Sequence, residues 1–190
     1  MRKSVLLGTI LGGLAAFLWS TISWELLSWH EKPLLRFQDE DRVAGAISSQ
    51  TTRSGTYILP AGPLQADMTA DQKKAAQAVL MEKMMKGPIM IAAVRRDGFG
   101  SVTRAFVVQF LSLTAAAFLL TWLLLQTRGL GYARRVAFLT VVGLAAGVIS
   151  DLPNWNWWGF SGSYTAVNLA DFTLNWLFAG LVIAKVAKPE

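Results

Sequence analysis

Three polar residues form a stripe in the last apolar segment of the chain, and one of them is a carboxylate. Asn168, Asp171 and Asn175 are spaced i, i+3 and i+7, so a helix places them on one face. A carboxylate at membrane depth costs roughly 2.5 to 3.5 kcal/mol, so it normally faces a bundle interior or a wet cavity. The stripe predicts either a polar contact that pins helices together or a proton or ion path in which Asp171 titrates.

Asp171 needs a partner, because no lysine or arginine lies in the middle of an apolar segment. It could be protonated, hydrogen-bonded by Asn168 and Asn175, or paired with another subunit. Hydroxyl partners on other segments are Ser20, Ser23, Ser112, Thr114 and Ser150. We favour the pin, because ion pathways usually contain several embedded ionisable groups.

Glu25, His30 and Asp151 fall toward the same side as Asp171, and a histidine with carboxylates could supply a metal or proton-relay site. Glu25 and His30, however, are about 140° apart on a helix, so they face one ligand only if the helix ends between them. We therefore expect His30 to be an interfacial residue. The sequence predicts no metal site and no cofactor.

Residues 153–160 read PNWNWWGF, an uncharged stretch rich in tryptophan and asparagine. Tryptophan favours boundaries, because its large apolar body carries one N–H that needs a partner. We predict an outer loop over residues 153–164 whose indoles form a membrane-interface belt, joined by Trp24 and Trp29. The alternative is a platform that binds a glycan or a lipid headgroup. The residues concerned are Asn154, Trp155, Asn156, Trp157 and Trp158.

A methionine-rich helix face is the remaining candidate for binding. Leu80, Met81, Met84 and Met85 share an arc of a predicted helix. Methionine clusters can bind Cu(I), but core filling or adaptable docking against a partner or a membrane surface is much commoner. GxSxG, Walker and HExxH motifs are absent from the sequence, so no catalytic residues are assigned.

The composition indicates a membrane protein. Of 190 residues, 53% are hydrophobic and 16% are charged, against roughly 25% charged in soluble domains. The net charge of +6 is better explained by residues that orient membrane helices than by nucleic-acid binding. The absence of cysteine excludes disulfides and thiolate metal sites.

Four apolar segments are long enough to be membrane spans. They cover residues 4–27, 105–126, 136–152 and 165–184. This divides the chain into a first span (1–29), an insert (30–104) and three further spans (105–190). Glycine pairs at four-residue spacing, such as Gly8 with Gly12 and Gly143 with Gly147, predict close helix packing.

The positive-inside rule sets the orientation. The basic residues of the short segments fall on one side of a four-span arrangement: Arg2, Lys3, Arg128, Arg134, Arg135, Lys185 and Lys188. Both termini are therefore expected in the cytoplasm and the insert outside it. The predicted fold is an all-α transmembrane bundle of four spans with a small α+β extracytoplasmic insert.

The insert contains clear secondary-structure signals. Acidic residues 39–41 begin a short helix that continues through Ile47. A capping box of Thr69 and Gln72 begins a helix over 70–86, which Gly87 and Pro88 end. Strands are predicted over 55–60 and 89–96.

Several stretches resemble a group of uncharacterised bacterial integral membrane proteins of similar length. They are WELLSWHEKPLLRFQDEDRV, SGTYILP, MKGP, TWLLLQT, PNWNWWGF and NLADFTLNWLFAGLVIAK. The resemblance implies a bacterial cytoplasmic (inner) membrane. It brings no activity, cofactor or site residue.

Three functions are compatible with these features. The first is a non-enzymatic accessory subunit that docks a protein partner or a second copy through its insert and Trp-rich loop, among membrane lipids. The second is a small proton- or ion-linked transporter in which Asp171 titrates. The third is a lipid- or glycan-modifying enzyme that uses Asp151 and Asp171.

Overall fold

A computed structural model describes residues 2–63 and 67–188 of the chain. Met1, residues 64–66 and residues 189–190, which the predicted boundaries include, lie outside the described residues. The elements in chain order are α1 (Arg2–Thr21) with a π-helical turn (Ile22–Leu26), α2 (Glu40–Gln50), β1 (Gly55–Leu59), α3 (Ala70–Lys86), β2 (Met90–Val94), α4 (Val102–Leu125), α5 (Tyr132–Trp158) and α6 (Gly162–Val186).

Four of these helices, α1 with its π-helical turn, α4, α5 and α6, are long and apolar enough to cross a membrane. The prediction of four long apolar helices and a small two-stranded element is confirmed. The chain divides into two compact units, one formed by Met1–Leu35 with Ser101–Glu190 and the other by Arg36–Gly100. The second unit is called the lobe below.

In the first unit, α1 packs against α4 and α6, and α6 packs against α5. Its core consists of small and branched side chains, among them Ala16, Ala117, Leu139, Ala179 and Ile183. Larger apolar side chains are exposed along the outer faces of all four helices. This distribution suits helices that are surrounded by lipid, where close backbone approach replaces a large apolar core.

Glycines make these close approaches possible. A Cβ atom at Gly8 would collide with Thr121, and one at Gly12 would collide with Ile183. On α5, a Cβ at Gly143 would lie 2.5 Å from Cδ1 of Trp176. The predicted role of the spaced glycines in packing is confirmed by these contacts.

The contact at Gly143 leads to a first prediction. Gly143→Ala is expected to lower the melting temperature of the detergent-solubilised protein, because overpacking against Trp176 costs about 1 to 3 kcal/mol. Gly162→Ala is the matched control, since nothing lies within 4 Å of a Cβ at that position. Equal melting temperatures for the two variants would contradict the described α5–α6 packing.

The predicted end of the third span is wrong. The helix was expected to end at residue 152, but α5 continues through Pro153 to Trp158. Proline removes one backbone donor, which here leaves the Ile149 carbonyl without its usual helical partner. The Asn154 side chain donates to the next carbonyl, that of Ser150, over 3.0 Å. The helix ends instead at Gly159, whose φ of 72° lies in the left-handed region.

The helices of the lobe begin where the sequence predicts. Asp39 caps α2 by accepting a hydrogen bond from the Arg42 backbone over 2.9 Å. Thr69 and Gln72 form the expected reciprocal capping box at the start of α3. Both helices are therefore specified by contacts between near neighbours in the sequence.

Strands β1 and β2 pair antiparallel to form a two-stranded sheet. Ile58 lies opposite Ile91, and Leu59 lies opposite Met90. The strands are slightly shorter than the predicted ranges. Two strands alone are marginally stable in water.

Candidate functional site

The polar centre of the first unit forms where α1 loses regular α-helical geometry. The π-helical turn places Ser23 in the interior, where it is fully buried. The turn ends at Leu26, and the chain then brings Trp29 and His30 back toward Ser23. We call Trp19, Ser23, Trp29, His30 and Asp171 the His30–Asp171 cluster.

Asp171 on α6 accepts its hydrogen bonds from α1. The Trp19 indole N–H donates to Asp171 Oδ1 over 2.8 Å, and the Ser23 hydroxyl donates to the same oxygen over 2.7 Å. The other carboxylate oxygen, Oδ2, lies 3.5 Å from Nε2 of His30. The cluster therefore joins α6 to α1 and to the segment that follows α1.

The contacts of Ser23 indicate which nitrogen of the His30 ring donates to it. Its Oγ accepts the indole N–H of Trp29 over 3.0 Å and gives its only proton to Asp171. The 2.9 Å contact between Ser23 Oγ and His30 Nε2 then requires Nε2 to be the donor. In the neutral ring, Nδ1 carries a lone pair, and Nδ1 is buried without a hydrogen-bond partner among the described residues.

Two indoles enclose the imidazole. Trp24 stacks on His30 with ring centroids 3.9 Å apart and an angle of 7° between the rings, while Trp29 meets its edge. Only 3% of the His30 surface is exposed. His30 is thus a buried neighbour of Asp171, and its predicted place at the membrane interface stays a prediction. The π-helical turn ends at Leu26, so a helix end does lie between Glu25 and His30.

Serine, histidine and aspartate meet in this cluster, but not in the arrangement of a hydrolase triad. A triad places the aspartate on the ring nitrogen that does not face the serine. In this cluster both Ser23 and Asp171 face Nε2, and Ser23 donates directly to the carboxylate. The Ser23 hydroxyl is fully buried and already makes three polar contacts. Its role is therefore structural, and it is not placed to attack a substrate as a nucleophile.

Burial lowers the pKa of His30 below its ordinary value, because the protonated ring would lose its water; the Asp171 carboxylate opposes this shift to a smaller extent. Neutral His30 is therefore favoured in the folded chain. At pH values between the lowered pKa and about 6.5, His30 binds a proton in the unfolded chain but stays neutral in the folded one. The stability due to neutral His30 is therefore fully present above about pH 6.5 and is lost as the pH falls through the lowered pKa.

We expect the melting temperature in detergent to fall as the pH is lowered below about 6.5. His30→Gln is the control, because its amide can still donate to Ser23 and does not titrate. Its melting temperature should change less with pH than that of the unmodified chain. Identical profiles for the two proteins would exclude His30 as the titrating group.

The predicted stripe on α6 divides between two neighbouring helices. Asp171 faces α1, whereas Asn168 donates to Asp151 on α5 over 2.9 Å. Asn175 Oδ1 is buried without a partner among the described residues. The stripe spans about 60° of helix arc, which is enough to direct adjacent turns toward different neighbours. Asp151 and Asp171 thus have separate hydrogen-bond partners.

Other predicted polar candidates do not join the cluster. Glu25 is exposed on the π-helical turn. Within residues 2–63 and 67–188, no group of three histidine, aspartate or glutamate side chains is placed to hold a metal ion.

The predicted outer loop is shorter than expected and does not contain the tryptophans. Residues 153–158 form the last turns of α5, so their side chains point in different directions around a helix. Trp155 and Trp157 are 52% and 71% exposed, and Trp158 is half-buried. Asn154 bonds to its own helix and Asn156 is exposed. The five residues therefore do not form one concave platform, and only residues 159–161 connect α5 to α6.

The methionine face of α3 remains exposed. The exposed fractions are 59% for Met81, 45% for Met84 and 81% for Met85. Leu80, placed on the same arc, is half-buried and lines a shallow depression with Ala61 and Pro63. No residue of α2 or α3 is buried.

Neither a protein-family model, nor a curated protein, nor a solved structure matches the chain. The resemblance to bacterial membrane proteins stays a prediction. The function therefore has to be argued from the geometry of the two units.

Several site residues have roles that were not predicted from the sequence. Trp19 and Trp29 act as hydrogen-bond donors to the cluster, although Trp29 was expected only in an aromatic belt. Arg135, read as an orientation signal, is 8% exposed and donates to the Ala187 carbonyl over 2.9 Å, so it caps α6. The spacing of Trp19 and Ser23, one helical turn apart, was the available signal for a shared polar face.

Proposed function

We propose that this chain is a multi-pass membrane protein that acts as a non-enzymatic interaction subunit, with the lobe as the surface that docks a protein partner. One observation carries the proposal: among the described residues, every buried apolar side chain lies outside residues 36–100. The helices of the lobe are well capped, but its described residues form no buried apolar core of their own. Its apolar surface is therefore left for another molecule.

Ten large apolar side chains of the lobe are exposed. They include Phe37, Ile58, Leu59, Val79, Met81, Met84, Met85, Ile89, Met90 and Phe99. Contiguous exposed apolar surface on a soluble unit typically marks an interaction site. This distribution supports docking in preference to an independent, self-contained domain.

The chemistry of α3 suits a protein surface. Methionine is flexible and polarisable, so a methionine face can adapt to an apolar partner. Glu82 and Lys86, on the other side of the helix, form an exposed ion pair at 2.7 Å. An apolar patch beside charged residues is the usual layout of a protein interface, with a dry centre and a polar rim.

The His30–Asp171 cluster is proposed to fix the point where the chain leaves the first unit. His30 and Trp29 precede the lobe by a few residues, and both bond to Ser23 within the first unit. A buried polar network with defined geometry favours one arrangement over others. Its role in this proposal is to anchor the segment that leads to the docking surface.

The expected topology completes the proposal. The positive-inside rule supports cytoplasmic termini and an extracytoplasmic lobe, and the resemblance stated above supports a bacterial inner membrane. The partner would then be a protein with an exposed domain or segment on the outer side of that membrane.

The proposal can be tested by photo-crosslinking in the native membrane. A photoreactive amino acid at Met85 is expected to form a crosslink to one other protein. The matched control is the same amino acid at Lys86, which is exposed on the polar side of the same helix. Crosslinks of equal yield from both positions, or none from Met85, would overturn the proposed docking face.

A proton-linked transporter is the second candidate, and one contact favours it. His30 and Asp171 are two ionisable groups 3.5 Å apart, with His30 Nδ1 left unpartnered among the described residues. Such a pair could exchange a proton. This alternative predicts that Asp171→Asn abolishes proton-linked flux in liposomes while the protein remains folded. Unchanged flux would remove Asp171 from any transport mechanism.

A further inference from the structure

We propose that the protein partner adds an extended segment of its own chain to the lobe as a third strand beside β2. The site is the edge of β2 that faces away from β1, which we call the β2 edge. This inference rests on the proposed docking function of the lobe. It adds the chemistry that the partner must bring, namely free main-chain donors and acceptors in an extended segment.

The pairing of β1 with β2 determines which main-chain groups face the β2 edge. In an antiparallel ladder, pairs that exchange both N–H···O bonds alternate with pairs that exchange none. Leu59 lies opposite Met90, and the next residue, Pro60, has no N–H with which to flank a pair of the second kind. Leu59 and Met90 are therefore a hydrogen-bonded pair, and by alternation so are Tyr57 and Ala92.

Ile91 and Ala93 then direct their N–H and C=O groups away from β1. A contact beyond the strand agrees with this alternation, because the Arg96 N–H points toward the segment that leads into β1 and donates to the Ser54 hydroxyl over 3.1 Å. Among the described residues, no other main-chain group bonds to the outward-facing groups of Ile91 and Ala93. Two donors and two acceptors are therefore available to a third strand.

The β2 edge lacks the features that usually prevent a strand edge from pairing. Such edges are blocked by charged side chains, proline, bulges or a covering element. Residues 90–94 contain no charge and no proline, their register with β1 has no bulge, and each of them is exposed or half-buried. β1 is the poorer acceptor, because Pro60 follows it directly and Gly62 then approaches Leu80 of α3.

The β2 edge continues from the methionine face of α3. Only residues 87–89 connect the end of α3 at Lys86 to Met90, so the strand begins within about 14 Å of the helix end. Ile89 and Met90 are 40% and 39% exposed. A partner that covers Met85 can therefore extend directly along β2, which favours one protein partner for both surfaces.

The charges beside β2 indicate the composition of the partner segment. Arg95 and Arg96 follow the strand directly, and neither forms an ion pair with another described residue. The strand itself is uncharged. Electrostatic complementarity therefore favours a segment that is apolar where it pairs with residues 90–94 and carries a carboxylate at the end beside Arg95.

The test is residue-resolved amide hydrogen exchange of the full chain, alone and in the complex isolated from native membranes. In the separate chain, the amides of Ala92 and Val94 should exchange more slowly than those of Ile91 and Ala93, because only the first two bond to β1. In the complex, exchange at Ile91 and Ala93 should slow by about tenfold or more. Burial of one side-chain face would not slow these alternate amides selectively.

A pair of variants tests the main-chain donor directly. Ala93→Pro removes the outward N–H but keeps the ladder bonds of the neighbouring residues, and proline is tolerated where a strand N–H faces away from the sheet. It should reduce co-purification of the partner by about tenfold. Ala93→Val is the matched control, because valine keeps the N–H and favours a strand. Its partner binding should stay within about threefold of the original level.

The outcomes separate this inference from the docking function. A complex that protects α3 but leaves Ile91 and Ala93 exchanging rapidly would overturn the third strand and retain the docking face. Finding no complex would overturn both proposals. Protection of the two amides in a homo-oligomer without a partner would assign the β2 edge to a second copy instead. Equal partner binding by folded Ala93→Pro and Ala93→Val would also overturn the third strand, and if Ala93→Pro does not fold, the exchange pattern of the unmodified chain decides.

Discussion

Asp171→Leu is expected to lower the free energy of unfolding of the detergent-solubilised protein by about 2 to 4 kcal/mol, because it leaves buried donors without an acceptor. Trp19 Nε1 and the Ser23 hydroxyl both donate to Asp171 Oδ1, and Ser23 is fully buried. Leucine has a similar size but accepts no hydrogen bond. The two donors would then be desolvated without compensation.

Asp171→Asn is the matched control for this prediction. Its side-chain oxygen can still accept from Trp19 and Ser23, so the loss should stay below about 1.5 kcal/mol. Melting temperatures should be measured at one pH for the unmodified protein, Asp171→Asn and Asp171→Leu. The first two should melt at clearly higher temperatures than Asp171→Leu. A leucine variant as stable as the unmodified protein would show that the cluster does not hold α6 to α1.

The second large effect is expected at the docking face. Replacing Met81, Met84 and Met85 together with glutamine should weaken partner binding by about 100-fold or more, because three apolar side chains lose a favourable burial. Glutamine and methionine have similar helix propensities, so α3 should stay intact. Binding can be measured as the fraction of partner that co-purifies from native membranes.

Replacement of the same three methionines with leucine is the control for the docking prediction. Leucine keeps the apolar character of the face and favours a helix. Partner binding should therefore remain within about tenfold of the original level. An equal loss of partner binding in the glutamine and leucine variants would indicate that the methionine sulfur is required. Unchanged partner binding in both variants would exclude this face as the docking surface.

The elements that were predicted well depend on local contacts. The start of α3 follows from Thr69 and Gln72, which bond to each other's backbone across a single turn. The close helix packing follows from the glycine spacing, because only a missing Cβ allows the approach of Trp176 to Gly143. The capping box can be predicted because every atom involved lies within one turn of chain, whereas the glycine spacing indicates a close approach but does not identify its partner on another helix.

The end of α5 shows why local rules can mislead. Pro153 predicts a helix end, since it lacks a backbone donor and restricts the residue before it. In the structure the helix continues and ends at Gly159 instead. The cost of proline depends on what else satisfies the freed groups, and the sequence alone does not state this.

The His30–Asp171 cluster could be predicted only in part. The sequence identified Asp171 as a carboxylate in need of partners, with Ser23 among the candidates. The contacts with Trp19 and Ser23 span 152 and 148 positions in sequence, so only the fold determines them. The contact of His30 with Asp171 was not predicted, because it depends on the path of the chain after the π-helical turn ends at Leu26.

The most direct test of the proposed function is native mass spectrometry of the chain extracted gently from its own membrane. The proposal predicts a complex of fixed stoichiometry with another protein, in which the amides of α3 exchange hydrogen more slowly than in the separated chain. A chain that is found alone, or only with copies of itself, with unprotected α3 amides would contradict the proposal that the lobe docks a protein partner.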